Sequence, residues 1–421
     1  MDAKAHKKPE PQASDGDYVL TPYDEFPVHT TPHPVSYIPS TDYNWDEGYY
    51  FGVLNPDEKI FFCTGFRVNP NTDMIGGYAL FNLNGVQRTF RFSRCWRQDY
   101  DLRVGPFQME VIEPLRKIRL VLEDNDSGIS FDILWEGTSP AHLEEHHTAQ
   151  RRGRRMTDQS RYSQPGRTRG RLTLGERNWD VGQPGWVGVR DHSWGLYVER
   201  PPFAADPKWL PPVPPNPNAR AMRFWVVFEA GGLSGFYHMH EDAEGVQRKL
   251  DDVFGTPFAG TFYRGWDGEV IELAAARHQI EFVPGTRMLK RATVTLTDIL
   301  GRVWTQEIEA AAPPSVIQTM GYTPGSWKDG GSFHSYHGSE MLATEWDEFD
   351  FSHQPFDYTP YGERGSNEPD TMRTGLSYQQ KIHGVEYLLR IRTTDPDGDV
   401  TEGAGQLELF IQGPYRPYGF E

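Results

Sequence analysis

Between Gly48 and Leu83 the chain repeats one pattern: an aromatic-rich run of strand length, a tight polar turn, then another such run. Gly48-Tyr49-Tyr50-Phe51-Gly52-Val53-Leu54 ends in Asn55-Pro56-Asp57-Glu58, and Lys59 to Val68 follows at once. Gly76 to Leu83 then meets Asn84-Gly85, a dipeptide in which both residues tolerate positive φ and so close a two-residue hairpin. Runs this short, rich in aromatic and β-branched residues, predict antiparallel strands.

The pattern continues to the end of the chain. Further strands are expected at Ile118 to Glu123, Ile129 to Trp135, Arg223 to Glu229 and Ser234 to His240. Arg291 to Thr297 alternates with period two and pairs across Gly301 with Val303 to Glu309; Val385 to Thr393 and Gly405 to Gln412 close the series. The 42 Gly and 33 Pro, together 75 of 421 residues, suit many strands joined by tight turns. Only Ala141 to Gln150 hints at a turn or two of helix. The fold class is therefore all-β, as two antiparallel barrels or sandwiches packed together.

Residues 1–17 are polar and without periodicity and are expected to be a disordered tail. A first domain is expected over 18–205, with an Arg-rich loop at 144–171, and a second over 206–421 after the proline-dense connection 211–217. That Arg-rich segment, with Arg151, Arg152, Arg154, Arg155, Arg161 and Arg167, stands out in an acidic protein. It reads either as an anion site or as a solvated loop pairing with surface acids.

A formal charge of -17 repels a nucleic-acid backbone, so nucleic acid is not an expected partner. Cys63 and Cys95 are too few for a disulfide framework and read as thiols in a reducing compartment. No apolar run approaches the length of a spanning helix, and the first residues lack a signal-like apolar core, so a cytoplasmic location is expected.

Chemistry concentrates in Gly185-Trp186-Val187-Gly188-Val189-Arg190-Asp191-His192-Ser193-Trp194-Gly195-Leu196-Tyr197. On a strand, side chains alternate between faces, so Asp191 cannot orient His192 without a bulge. A carboxyl among aromatic groups is stabilised in its neutral form, which makes Asp191 a proton donor, while a neighbouring arginine pulls the other way. Equally, Asp191 and His192 can satisfy backbone groups at a domain junction with Trp194 in a core.

This run, preceded by Arg161-Tyr162-x-Gln164-x-Gly166-Arg167-x-x-Gly170, resembles uncharacterised bacterial families related to AttH and carotenoid 1,2-hydratase. The likeness extends over the aromatic strands Tyr49 to Leu83 and weakens beyond Pro211. It implies two lipocalin-like β-domains and a cavity for an apolar or isoprenoid-like molecule. The chemistry it implies is acid-assisted addition to, or rearrangement of, an alkene, without a cofactor. Asp191, His192 and Trp194 match the shared motif and are the expected catalytic residues. Trp186, Arg190 and Tyr197 are expected to shape the pocket and hold ligand.

Two other clusters compete. Gly232-x5-His238-x-His240-x3-Glu244 has the spacing of a first cupin metal motif, but no second motif supplies a third histidine, and Glu241 to Gly245 reads as a turn. His238 and His240 are therefore expected as ligand-binding residues of the second barrel's cavity, with a metal-dependent oxygenase as an alternative. His334 and His337 lie in a glycine-rich loop of the kind that caps cavities. Three readings stand at this level: a hydratase or isomerase acting on a terpenoid, steroid or prenylated aromatic, a carrier of such a ligand, and the oxygenase.

Overall fold

The computed structural model describes residues 37–97, 101–151, 153–197, 220–250, 256–322, 326–352, 385–411 and 413–421, with most of 20–35. The expected tail at 1–17 and the proline-dense connection at 211–217 lie outside the described residues.

Among the described residues, all regular structure is β apart from single 3-10 turns. One sheet runs through β1 (Trp45–Asn55), β2 (Ile60–Asn69), β3 (Met74–Leu83), β4 (Val86–Cys95), β5 (Arg103–Val104), β6 (Phe107–Glu113), β7 (Lys117–Leu122) and β8 (Ile129–Gly137). It continues with β9 (His142–Leu143), β10 (His147–Arg151), β11 (Arg154–Leu174), β12 (Arg177–Asp180) and β13 (Val187–Tyr197). The other holds β14 (Met222–Ala230), β15 (Leu233–Glu241), β16 (Phe258–Tyr263), β17 (Val270–Phe282), β18 (Leu289–Asp298), β19 (Val303–Ala310) and β20 (Ser315–Val316). One further strand, β21 (Ala343–Asp350), joins the first sheet, and β22 (Val385–Thr394) and β23 (Val400–Ile411) complete the second.

The second sheet closes on itself: eight antiparallel strands run in the order β19-β18-β17-β16-β15-β14-β23-β22, and β22 pairs back to β19. The first curls without closing, in the order β21-β4-β3-β2-β1-β13-β11-β8-β7-β6-β5. At the Asn84-Gly85 turn both residues have positive φ, 51° and 94°, as that hairpin requires.

Both concave interiors are filled. Phe224, Tyr237, Phe262, Trp304 and Tyr387 pack inside the barrel, and Phe51, Phe62, Phe81, Phe107, Phe131 and Trp135 inside the curled sheet. The two sheets meet through a third cluster, in which Tyr50, Leu54, Cys63, Tyr78, Val187 and Val189 on the convex face of the curled sheet pack on Trp225, Val227, Phe236 and Leu388 on the barrel's outer wall.

The sequence expectation needs correction at three places. The Arg-rich segment is no loop, since β11 runs 21 residues through its centre and pairs with β13, β8, β9, β10 and β12. Arg161, Arg167, Arg169 and Arg171 sit at alternating positions on this strand, which composition alone reads as solvated coil. The helical hint at 141–150 is resolved as β9 and β10. Residues 343–350, expected in the second domain, return to the first sheet, where Arg91 of β4 is buried against Glu345 and Asp347 of β21. Cys63 and Cys95 are both free thiols. No helix among the described residues is long and apolar enough to cross a membrane.

Candidate active site at the junction of the two sheets

The motif strand β13 lies between β1 and β11, pairing Asp191 with Tyr50 on one side and with Ser163 on the other. Alternation then sorts its side chains. Val187, Val189, Asp191 and Ser193 face the barrel, whereas Arg190, His192 and Trp194 point to the concave side. The strand ends its motif in Gly195, at φ 125°, where a Cβ would stand 2.2 Å from the Asp158 carbonyl oxygen.

On the barrel-facing side an ionisable cluster spans the junction. Asp191 Oδ2 lies 3.6 Å from Arg161 Nη1, and the two side chains stay 19% and 17% exposed although they sit between packed sheets. Opposite them, Arg223 Nε donates to Glu408 Oε2 at 2.8 Å and its Nη2 lies 2.7 Å from the same oxygen as an ion pair, with 12% and 19% of these side chains exposed. These four partly exposed side chains border the seam between the two walls, called the chamber below. Glu144 forms its rim, accepting from Ser163 Oγ at 2.8 Å and Trp225 Nε1 at 3.4 Å, with His147 Nε2 at 3.5 Å. Arg67 pairs with buried Asp46 at 2.5 Å and stacks on the Tyr322 ring. Its guanidinium fits only because Gly48 has no side chain, since a Cβ there would come within 2.5 Å of Nη2.

A buried hydrogen-bond chain ties the walls together. The Tyr50 hydroxyl donates to Gln406 Oε1 at 2.8 Å, and Gln406 Nε2 donates to Glu386 Oε2 at 2.8 Å. Glu386 in turn stands directly across from Glu408 in the β22–β23 ladder.

The electrostatics follow from burial and these neighbours. Desolvation pushes the Asp191 carboxyl above its ordinary value; Arg161 and Arg67 pull it back, while Glu144 and Glu408 push it up. Glu386 is driven well up by burial and by the charge of Glu408. Burial would also raise Glu144, but His147, Arg161 and His238 outweigh it and hold that carboxylate well below the usual range. Burial pushes His238 down to about 4 and His240 well below its ordinary value, so both are neutral imidazoles at neutral pH.

The expected site residues fall into separate places. Asp191 faces the chamber. Tyr197 shares its face but lies six residues along, at the strand end. His192 is turned away: its Nε2 meets Glu47 Oε1 at 2.8 Å, its Nδ1 meets the Tyr162 hydroxyl at 3.2 Å, and its ring stacks on Tyr49 at 4.0 Å. Trp194, 38% exposed, stands 5.1 Å from the His192 ring on that same side. Arg190 is buried there too, donating to Gln164 Oε1 at 2.9 Å and lying over Trp135 at 4.8 Å. Trp186 packs with the concave core and lines a groove of about 880 Å³ beside Arg167, Glu229 and Arg390, clear of the ionisable cluster.

His238 and His240 belong to the chamber region rather than to a barrel lumen. They alternate with the inward-pointing Tyr237 and Met239 and stand on the outer wall, their rings 5.0 Å apart. His238 Nε2 meets the Thr256 carbonyl at 3.2 Å. No cluster of three or more metal-type side chains with metal-binding geometry occurs among the described residues. His334 lies beyond Arg67, with its Nε2 3.3 Å from Asn69 Nδ2. His337 is used structurally, stacked on Trp327 at 3.8 Å with Nδ1 on Asp329 at 2.6 Å.

Sequence reading missed Arg223, Glu386 and Glu408. Their signal, polar residues alternating with apolar ones as in Gln406-Leu407-Glu408-Leu409, is the same for a wall facing solvent and a wall facing another sheet.

Residues 20–359 match the profile of a family described as of unknown function. None of the curated proteins compared matches the chain. Among solved structures, the chain is similar to CghA, with 9% identity over 88% of each chain and a TM-score of 0.43. Its complex with Sch210972 gives 8% identity over 88% of this chain and 89% of that one, with a TM-score of 0.42. Kievitone hydratase from Nectria haematococca matches over 96% of this chain and 97% of its own, at 9% identity and a TM-score of 0.39.

Proposed function

The chain belongs to DUF8625, a family of unknown function, so its chemistry has to be read from the chamber itself, and we propose that it is a cofactor-independent hydratase or isomerase whose proton donor is Asp191. The observation that carries this reading is a carboxyl raised above its ordinary value by burial, partly exposed at the junction and facing a second wall that carries Arg223 and Glu408.

Such a group suits acid-assisted alkene chemistry. The Asp191 proton goes to one alkene carbon, the π electrons form the new C–H bond, and a carbocation is left on the other carbon. In hydration, water adds there and its surplus proton returns to the Asp191 carboxylate. In isomerisation, a neighbouring C–H proton returns instead and the double bond reforms one position along. Glu144, held ionised by its neighbours, stabilises the transient cation electrostatically, with Glu408 on the facing wall adding to it. A small alkene-bearing molecule with an apolar body, such as a terpenoid or prenylated aromatic, is the substrate class that fits.

His192 and Trp194 have no part in this scheme because β13 turns them to its other face. The test is a substrate screen guided by native mass spectrometry of protein purified without detergent, which reports any co-purified ligand. Asp191→Asn is expected to bind the ligand and lose turnover. Turnover at the wild-type rate in that variant overturns the assignment.

A further inference from the structure

Away from the chamber the two sheets leave a groove of about 880 Å³ between them, and neither Asp191 nor Arg161 lines it. Its barrel wall is one row of cross-strand neighbours. Ser234 of β15 stands opposite Glu229 of β14, Glu229 opposite Ala404 of β23, and Ala404 opposite Arg390 of β22. Directly paired residues share a face, so the row presents its side chains together. The facing wall comes from β11, the end of β8 and the turn Pro184-Gly185-Trp186.

Two ion pairs cross the groove from one sheet to the other. Arg167 Nη2 lies 2.7 Å from Glu229 Oε1, and Arg390 Nη1 lies 2.7 Å from Asp57 Oδ1 in the β1–β2 turn. The two arginine side chains stay 60% and 49% exposed, so the donors that these pairs do not use remain open to a ligand. In all, the lining carries three arginines and four carboxylates, which offers a charged ligand no marked surplus of the opposite sign. Two hydroxyls of the lining, Ser234 Oγ and Thr138 Oγ1, are buried without a hydrogen-bond partner, a state that costs free energy until something meets them. Trp186 is the aromatic group of the lining.

From this we infer that the groove is a binding site separate from the chamber and that its ligand is a neutral saccharide. Guanidinium and carboxylate groups that already neutralise each other keep spare donors and acceptors side by side. The hydroxyls of a sugar, each a donor and an acceptor, meet both kinds at once. An anion would have to displace Glu229 or Asp57 from its arginine, and a wholly apolar molecule would cut both pairs off from water. Ser234 and Thr138 add hydroxyl partners, and Trp186 supplies apolar contact for C–H groups. The volume is that of a small-molecule site and leaves room for a disaccharide. Trp186 and Arg167, which stand out in the sequence, thus work in this groove, independently of the chemistry at Asp191.

Calorimetric titration of the full chain with maltose, cellobiose and lactose, and with inorganic phosphate as the anionic comparison, tests it. At least one disaccharide is expected to bind at millimolar concentration and phosphate is not. Hydrogen exchange with the bound sugar is expected to slow at 182–187 and 229–234, which separates this groove from the chamber. Arg390→Gln is expected to weaken binding about tenfold. Its ion pair with Asp57 is exposed, so the fold tolerates the change, and circular dichroism checks this. Arg103→Gln, on β5 at the far edge of the curled sheet, is expected to bind as the wild type does. No binding of any of the three sugars at tens of millimolar, protection confined to other stretches, or binding that Arg390→Gln leaves unchanged overturns the inference. Binding of phosphate in place of the sugars also overturns it, since that marks an anion site.

Discussion

Asp191 and Arg161 lie on neighbouring strands with Oδ2 and Nη1 3.6 Å apart, near enough to feel each other's charge and too far to share a hydrogen bond. A structural ion pair would close that distance. Burial raises the Asp191 carboxyl while Arg161 pulls it back, and both side chains stay partly exposed on the same face of the sheet.

Asp191→Asn should cost no stability at neutral pH. The folded-state value of Asp191 is raised by burial, so folding favours its neutral form. That contribution is present below the unfolded carboxylate value of 3.8 and is lost as pH rises through the folded value. Above that window the wild type carries a penalty that the amide lacks. Urea unfolding at pH 7 should show the variant at least as stable as the wild type, and marked destabilisation would show that the Asp191 charge holds the junction together.

His192→Gln and Glu47→Gln should leave chamber binding and turnover unchanged. Both side chains lie on the face of β13 turned away from Asp191, where they bind each other and Tyr162. A loss of turnover like that of Asp191→Asn would mean that the two faces are coupled.

Stability should fall as pH drops from neutral toward 5. His238 is depressed to about 4 by burial, so its contribution is complete above the unfolded histidine value of 6.5 and is lost as pH falls toward the folded value. This single group accounts for about 2 kcal/mol between about pH 7 and pH 5. His240 and His147, depressed by the same burial, act in the same direction. Denaturant midpoints across this range should show the fall, and His238→Gln should flatten it.

Glu386 and Glu408 should respond unequally to the same change. Glu386 is held neutral by burial and by the charge beside it, so Glu386→Gln keeps its hydrogen-bonding partner and costs little. Glu408→Gln removes the ion-pair partner of Arg223 and should cost about 2 kcal/mol. Equal losses measured by thermal unfolding would contradict the protonation states assigned to the pair.

Gly195→Ala should be among the most damaging changes in the motif. The position requires φ 125° and leaves 2.2 Å to the Asp158 carbonyl, so an added methyl group strains the backbone and breaks the β11–β13 contact. A loss of about 3 kcal/mol or more is expected. Ordinary stability of that variant would show that β13 can shift without cost.

The all-β fold was legible in the sequence because its determinants are local: period-two alternation, aromatic strands and dipeptides such as Asn84-Gly85 that turn the chain in place. The separation of Asp191 from His192 was legible for the same reason, as strand alternation acts between adjacent residues. Two features were hidden. Charge density made β11 read as a loop, although a strand between two neighbours can carry arginines on a face that meets another sheet. The chamber was the second, because Arg161 and Asp191 belong to the curled sheet and Arg223, Glu386 and Glu408 to the barrel, and the two groups face each other only when the sheets dock. The sequence by itself determined which residues share a face. Which faces meet, and hence which acid is shifted upward and which charges couple, was decided by tertiary packing, because desolvation and charge coupling depend on distance through space.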